Sequence, residues 1–178
     1  MDVNYRNPKI IVIAGKARSG KNTIGDIFKK LYEQDNKKVV ISPYTKYLKD
    51  YIKEITGNYV DDNNKPREFL QQIGVELIKN NINPKMLINR LLEDIEVYSY
   101  FYDIIIISDA RFREEIEEVK AKYNDVTVIH IKGNNNDLTE EQKNHITETS
   151  LDDYSNYDYE IESNEDVTTS LEKIVKEC

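Results

Sequence analysis

Cysteine is almost missing from this chain of 178 residues: Cys178 stands alone. One thiol closes no internal disulfide and builds no cysteine-based zinc site, so a reducing, cytoplasmic setting is expected. No stretch approaches the ~20 consecutive apolar residues of a membrane span, and the opening MDVNYRNPKI has no apolar signal core. No membrane partner is expected. Positive charge is also in short supply. The 25 Lys and Arg face 33 Asp and Glu, leaving a formal net charge of −8. A general nucleic-acid binder carries the opposite balance, so nucleic acid is not an expected partner. A phosphate ligand held by a few local groups is still allowed.

What is there is patterned. Apolar residues make up 39% of the chain, 13 tyrosines included, and they fall in compact runs. The length fits one domain, since domains run to about 100–200 residues. Such a chain buries roughly two thirds of the surface it exposes when unfolded. No repeat and no linker divides residues 1–178, so a single domain is expected.

Five short runs read as strands: Lys9–Gly15, Lys38–Ser42, Asp103–Asp109, Val126–Lys132 and Tyr157–Glu162. Their β-branched content suits a sheet covered on both faces. Helical spacing appears over Lys21–Gln34 and over Tyr44–Ile55, where Tyr47, Leu48, Tyr51, Ile52 and Ile55 share a face ahead of Gly57. A helix from about Pro66 to Asn80 carries Phe69, Leu70, Ile73, Leu77 and Ile78. Further helices follow Pro84 through Ile95, and span Arg113–Tyr123 and Val167–Lys176. Strands alternating with helices imply parallel crossovers. The expected fold is α/β: three layers, with a mostly parallel five-stranded sheet flanked by helices.

Between the first strand and the first helix lies Gly15-Lys16-Ala17-Arg18-Ser19-Gly20-Lys21-Asn22-Thr23, with the G-x-x-x-x-G-K spacing of a phosphate loop. Glycine lets the backbone turn tightly and aim successive N–H groups at a phosphate. The helix N-terminus adds its positive dipole end. Lys21 then reaches the β- and γ-phosphates of a bound nucleotide, and Arg18 lies beside them by spacing. Asn22 stands where Ser or Thr normally offers a hydroxyl to Mg²⁺. Either Thr23 supplies the hydroxyl, or Asn22 approaches the metal through its amide oxygen or a water.

Ser108-Asp109-Ala110-Arg111 follows the isoleucine-rich strand. A carboxylate at the carboxyl end of a parallel strand lies beside the phosphate loop and can orient hydrated Mg²⁺; a turn or helix-capping role is the alternative. Arg111 and Arg113 can make bidentate contacts to phosphate, although a surface ion pair suits Arg113 equally well. Arg67 and Gln71, one helical turn apart, could hold an acceptor phosphate and a base edge. Gly74, interior to the same helix, implies a close approach by another helix or by a ligand. His145 is either a site residue or a helix cap. Lys132 and Lys143 could close over phosphates, and no arginine follows Arg113.

GKARSGKNT, SPYTKYLK, REFLQQIGVELIK, IIISDARFREE and HITETSL, in this order, resemble deoxynucleoside monophosphate kinases of the phage and bacterial type. These belong to the P-loop nucleoside and nucleotide kinases, as do phosphomevalonate kinases of the animal type. The resemblance covers about residues 9–175. It implies a P-loop kinase fold with a helical acceptor-binding segment at about 43–98 and a short lid at about 133–150. It implies ATP and Mg²⁺ as cofactors and small nucleotides as partners, and leaves a homodimer open. Gly15, Ala17, Arg18, Ser19, Gly20, Lys21, Asn22 and Thr23 would surround the donor phosphates, with Thr23 and Asp109 at the metal. Lys49, Arg67 and Gln71 would lie on the acceptor side, Asp109 and Arg111 between donor and acceptor, and His145 and Glu148 at the lid's return. Lys79 departs from the family, which tends to have arginine there, and the lid is poor in arginine.

The leading expectation is ATP-dependent phosphoryl transfer to a (deoxy)nucleoside monophosphate. An ionised phosphate needs no general base, and no convincing base is present. The alternatives are another phosphorylated acceptor, such as phosphomevalonate, or a nucleotide-binding regulatory protein without turnover. A guanine-reading N-K-x-D element is missing: Asn64-Lys65-Pro66-Arg67 lacks the aspartate.

Overall fold

Isoleucine builds the centre of the molecule. The computed structural model describes residues 3–57, 67–133, 139–162 and 167–177. Strands form at Lys9–Ala14 (β1), Val39–Ile41 (β2), Ile104–Ala110 (β3), Val126–Lys132 (β4) and Tyr159–Glu162 (β5). They make one sheet in the order β2-β3-β1-β4-β5, and every neighbouring pair is parallel. All carboxyl ends therefore face one edge, and β1 delivers its following loop to the middle of it.

Side chains alternate across the sheet. Ile10, Val12, Ile105, Ile107 and Val128 share a core on one face with residues of the helices Met86–Tyr98 (α4) and Arg113–Lys122 (α5). Ile11, Ile13, Ile104, Ile106, Ile129 and Ile131 pack on the other face with residues of Lys21–Gln34 (α1) and Val167–Glu177 (α8). Both faces are covered, so the three-layer α/β expectation holds. The remaining helices are Thr45–Thr56 (α2), Arg67–Gln71 (α3), Glu140–Asn144 (α6) and Ile146–Thr149 (α7). No helix among the described residues is long and apolar enough to cross a membrane.

A smaller apolar cluster lies above the carboxyl edge. It joins Leu48 and Ile52 of α2 to Leu70, Ile73 and Ile78. Gly57, at φ +73°, ends α2 and donates its N–H to Lys53 O at 2.8 Å. Two expected core positions fail here. Ile55, in the last turn of α2, is 68% exposed, beyond the reach of the cluster. Leu77 is 48% exposed, because α3 continues as a π-helical stretch over Gln72–Ile82. Its wider turn, closed by Asn83 N–H on Ile78 O at 2.8 Å, breaks the 3.6-residue spacing that places Leu77 inward. Gly74 belongs to this stretch. A Cβ there would lie 2.9 Å from Leu48 Cδ1, so the close approach is that of α2.

Candidate active site

The loop between β1 and α1 is shaped by what it leaves no room for. Gly15 has φ +146°, and a Cβ on it would lie 2.6 Å from Ile131 O. A Cβ on Gly133 would lie 2.6 Å from Ser19 Cα. The loop is thus held close against the end of β4. Gly20 at φ +86° turns the chain into α1, and Arg18 takes the left-handed region at φ +59°, which costs a non-glycine residue about 1 kcal/mol. Ser19 and Lys21 are buried. Lys21 is the first residue of α1, and its ammonium folds back over the loop. It donates to Gly15 O at 2.7 Å, Lys16 O at 2.5 Å and Ser19 Oγ at 3.3 Å. Asn22 and Thr23 are exposed in the first turn.

Beside the loop opens a cavity of about 410 Å³, within the ~300–1,000 Å³ range of small-molecule sites. Ala17 to Thr23 line one end. Leu48, Leu70, Gly74, Val75 and Leu87 form an apolar wall, with Gln71, Tyr44 and Thr45 among them. Asp109, Arg111, Phe112, Glu115, Thr147 and Glu148 complete the lining.

Three of these residues are buried carboxylates. Asp109 receives backbone N–H groups on both oxygens, from Tyr44 at 2.8 Å and Thr45 at 3.0 Å. It satisfies donors at the start of α2 that have no partner within the helix. Glu148 accepts the Ala17 N–H on Oε2 at 2.7 Å and pairs with the Arg111 guanidinium through Oε1. Its neighbour Thr147 receives the Gln71 amide on Oγ1 at 3.1 Å. The short helix α7 therefore touches the phosphate loop, Arg111 and the helix carrying Gln71. Glu115, third residue of α5, accepts the N–H groups of Arg111 at 2.7 Å and Phe112 at 3.0 Å, both on Oε2.

Burial pushes the Glu115 carboxyl up to about 7, helped by the charge on Asp109 and opposed by the two N–H groups. A carboxyl raised in the folded state is most stabilising below its ordinary pKa, near 4.5. That contribution is lost as pH rises through about 7. The Glu115→Gln variant does not titrate there. In urea denaturation its stability relative to the parent should therefore improve from pH 5 to pH 7.5, by on the order of 2 kcal/mol. A flat or reversed difference would mean that this carboxyl ionises freely.

The deoxynucleotide monophosphate kinase family model matches residues 34–174. The chain belongs to this family. The match begins beyond residues 15–23, so the phosphate loop is an independent observation. Among solved structures, a mutant of APS kinase from Mycobacterium tuberculosis aligns over 96% of both chains, at TM-score 0.58 and 9% identity. The same kinase in complex with AMPPNP and APS covers 96% of both at 0.55 and 8% identity. Shikimate kinase from Aquifex aeolicus covers 94% of both at 0.52 and 14% identity. At such identities these likenesses show the shared P-loop kinase fold alone. No curated protein matches the chain in sequence. Family and fold together make this member of the deoxynucleotide monophosphate kinase family a phosphoryl-transferring enzyme.

The kinase brings most of the expected residues to the cavity: Ala17 to Thr23, Gln71, Asp109, Arg111 and Glu148 line it. Lys49 and His145 do not. His145 caps α7, its Nδ1 accepting the Thr147 N–H at 3.3 Å. Arg67 opens α3, but its side chain is outside the described residues, as are residues 134–138 of the expected lid. Lys132 and Lys143 pair with Glu160 and Glu140, at 2.7 and 2.8 Å. Arg113 reaches Asp153 O at 3.4 Å and lies over the Tyr154 ring. Lys79 pairs with Glu114 at 2.7 Å and sits 3.3 Å from the centre of the Phe112 ring. No group of three His, Cys, Asp or Glu among the described residues could hold a metal ion.

Sequence reasoning missed Tyr44, Thr45, Glu115 and Thr147 as lining residues. A signal existed for Tyr44 and Thr45, which follow the carboxyl end of a parallel strand, where ligands of such sheets bind. Glu115 stands three residues beyond Phe112, at the helix position suited to capping.

Proposed function

We propose that this kinase moves the γ-phosphoryl group of ATP to the phosphate of a (deoxy)nucleoside monophosphate, giving the diphosphate and ADP. One observation carries the reading. A single cavity runs from a phosphate loop to an apolar wall set with polar groups, and Arg111 lines it. The loop suits a triphosphate, and the wall suits a base and sugar. Residues 1–178 act as one cytoplasmic domain, with 43–98 as the acceptor-binding segment and 133–150 as the lid.

The chain's task is positioning and charge neutralisation. Lys21 already holds its ammonium among the loop oxygens, a short swing from a β- or γ-phosphate. Arg111 would meet phosphoryl oxygens from the opposite side of the loop, aimed by Glu148. Gln71 would meet the base. Magnesium, bound together with ATP, supplies charge neutralisation at the donor oxygens. The exposed Thr23 hydroxyl and the Asn22 amide oxygen are hard donors on the cavity wall that fit it, and Asp109, with both oxygens taken by N–H groups, would act through water.

A steady-state screen of nucleoside and deoxynucleoside monophosphates, with ATP and Mg²⁺ and ADP as readout, tests this. At least one deoxynucleoside monophosphate should raise ADP formation far above ATP alone. A preference for another phosphorylated metabolite, or no acceptor-dependent ADP at all, overturns it.

A further inference from the structure

Glu115 differs from the other two carboxylates of the cavity in what it leaves unused. Asp109 and Glu148 each engage both oxygens. Glu115 commits only Oε2, to the N–H groups of Arg111 and Phe112. Its Oε1 has no hydrogen-bond partner among the described residues, and it is not one of the partnerless atoms sealed from solvent. The residue is 8% exposed and lines the cavity, so the free oxygen opens onto that space. Its main chain is also fixed, because the Tyr44 hydroxyl donates to the Glu115 carbonyl at 2.8 Å and ties α5 to α2. A rigidly held, largely desolvated carboxyl oxygen facing a cavity calls for a hydrogen-bond partner, and a donor placed there favours the ionised form that burial disfavours.

We propose that Glu115 is a specificity-determining residue for the acceptor, taking on Oε1 a hydrogen bond from a neutral donor group of the nucleotide: a sugar hydroxyl or an exocyclic amine. The proposal rests on the nucleotide-acceptor reading above. The donor must be uncharged for two reasons. A phosphate at this corner would bring negative charge against Glu115 and Asp109, and a nucleoside monophosphate carries no cation. Glu115 thereby also directs the acceptor's phosphate away from itself and toward Arg111, whose N–H it already holds.

Glu115→Gln separates this role from that of a helix cap. The amide oxygen can still accept the N–H groups of Arg111 and Phe112, while the NH₂ now presents donors to the cavity. Helix capping alone would leave kinetics unchanged. The proposal expects the acceptor KM to rise roughly 10- to 100-fold, the loss typical of a charge-assisted hydrogen bond, with the ATP KM within about twofold. With the parent enzyme, 3′-deoxy monophosphates and monophosphates of bases lacking the exocyclic amine distinguish the two sources. Only the analogue without the group that Glu115 reads should lose, and Glu115→Gln should add no further loss to it. The analogue series needs no variant, so it decides even if Glu115→Gln is poorly folded. Equal KM values across the analogues, or an unchanged acceptor KM in folded Glu115→Gln, overturn the role of Glu115. No turnover of any nucleoside monophosphate by the parent enzyme overturns the function itself.

Discussion

Lys21→Ala should reduce phosphoryl transfer by about a thousandfold or more, the largest loss expected from any single truncation here. The ammonium is buried at 6% exposure and donates to three loop oxygens, all within 3.3 Å. It has two tasks. Without nucleotide it neutralises the carbonyl oxygens of Gly15 and Lys16, which the tight turn directs inward. With nucleotide it would exchange these for phosphate oxygens, where charge builds during transfer. Alanine removes both, and the exposed carbonyls cost stability of about 1–3 kcal/mol. The sheet and its two apolar faces do not depend on Lys21, so the variant should keep its far-ultraviolet circular dichroism and a cooperative, somewhat earlier melt. The comparison must therefore be made at a temperature where both proteins are folded. A folded Lys21→Ala protein that still produces ADP at near-normal rates would end the kinase mechanism proposed here.

The sheet was legible because its signal is local and redundant. IIVIA and IIII are apolar at successive positions, as a strand buried on both faces requires, and β1 and β3 are indeed buried there. The phosphate loop was legible for the same reason: nine consecutive residues carry it. Contacts between distant positions were not. Glu148 meets Ala17 across 131 residues, and Asp109 meets Tyr44 across 65. Spacing describes one helix or strand at a time, so it could suggest that these carboxylates matter but not which N–H groups they hold. Asp109 illustrates the consequence: reading it as a metal-orienting group or as a cap was open in sequence, and the two N–H groups at the start of α2 are what the fold supplies. The π-helical stretch is a different failure. Residues 72–82 have α-helical apolar spacing, and the wider turn occurs where Gly74 packs against Leu48 of α2, a tertiary contact that a single segment does not reveal.

Truncating either partner of the Glu148–Arg111 pair should do more damage to the fold than truncating any other polar residue of the cavity. The Glu148 side chain is 3% exposed, yet it carries a charge, so the carboxylate depends entirely on its partners. Those partners are the Arg111 guanidinium and the Ala17 N–H. Removing Arg111 leaves the buried Glu148 charge uncompensated, at a cost of about 3–5 kcal/mol; removing Glu148 leaves the Arg111 guanidinium, whose side chain is 26% exposed, within reach of water, and the Ala17 N–H without its acceptor. Arg111→Ala is therefore expected to lose stability of this size in urea denaturation, and Glu148→Ala somewhat less. The partners are half of one interaction each, so the losses should not add. Replacing both Glu148 and Arg111 by leucine should recover well over 1 kcal/mol relative to the sum of the single leucine replacements. Glu148→Gln isolates the remaining link. Its amide oxygen can still accept the Ala17 N–H, so it keeps the tie between α7 and the phosphate loop while releasing Arg111. If Glu148 serves by aiming Arg111, Glu148→Gln should lower kcat on the order of tenfold or more and leave the KM for ATP nearly unchanged, since the loop is still held. Additive leucine replacements would show that the pair contributes nothing beyond its parts. A raised ATP KM with normal kcat would place the role of Glu148 at the loop rather than at the arginine.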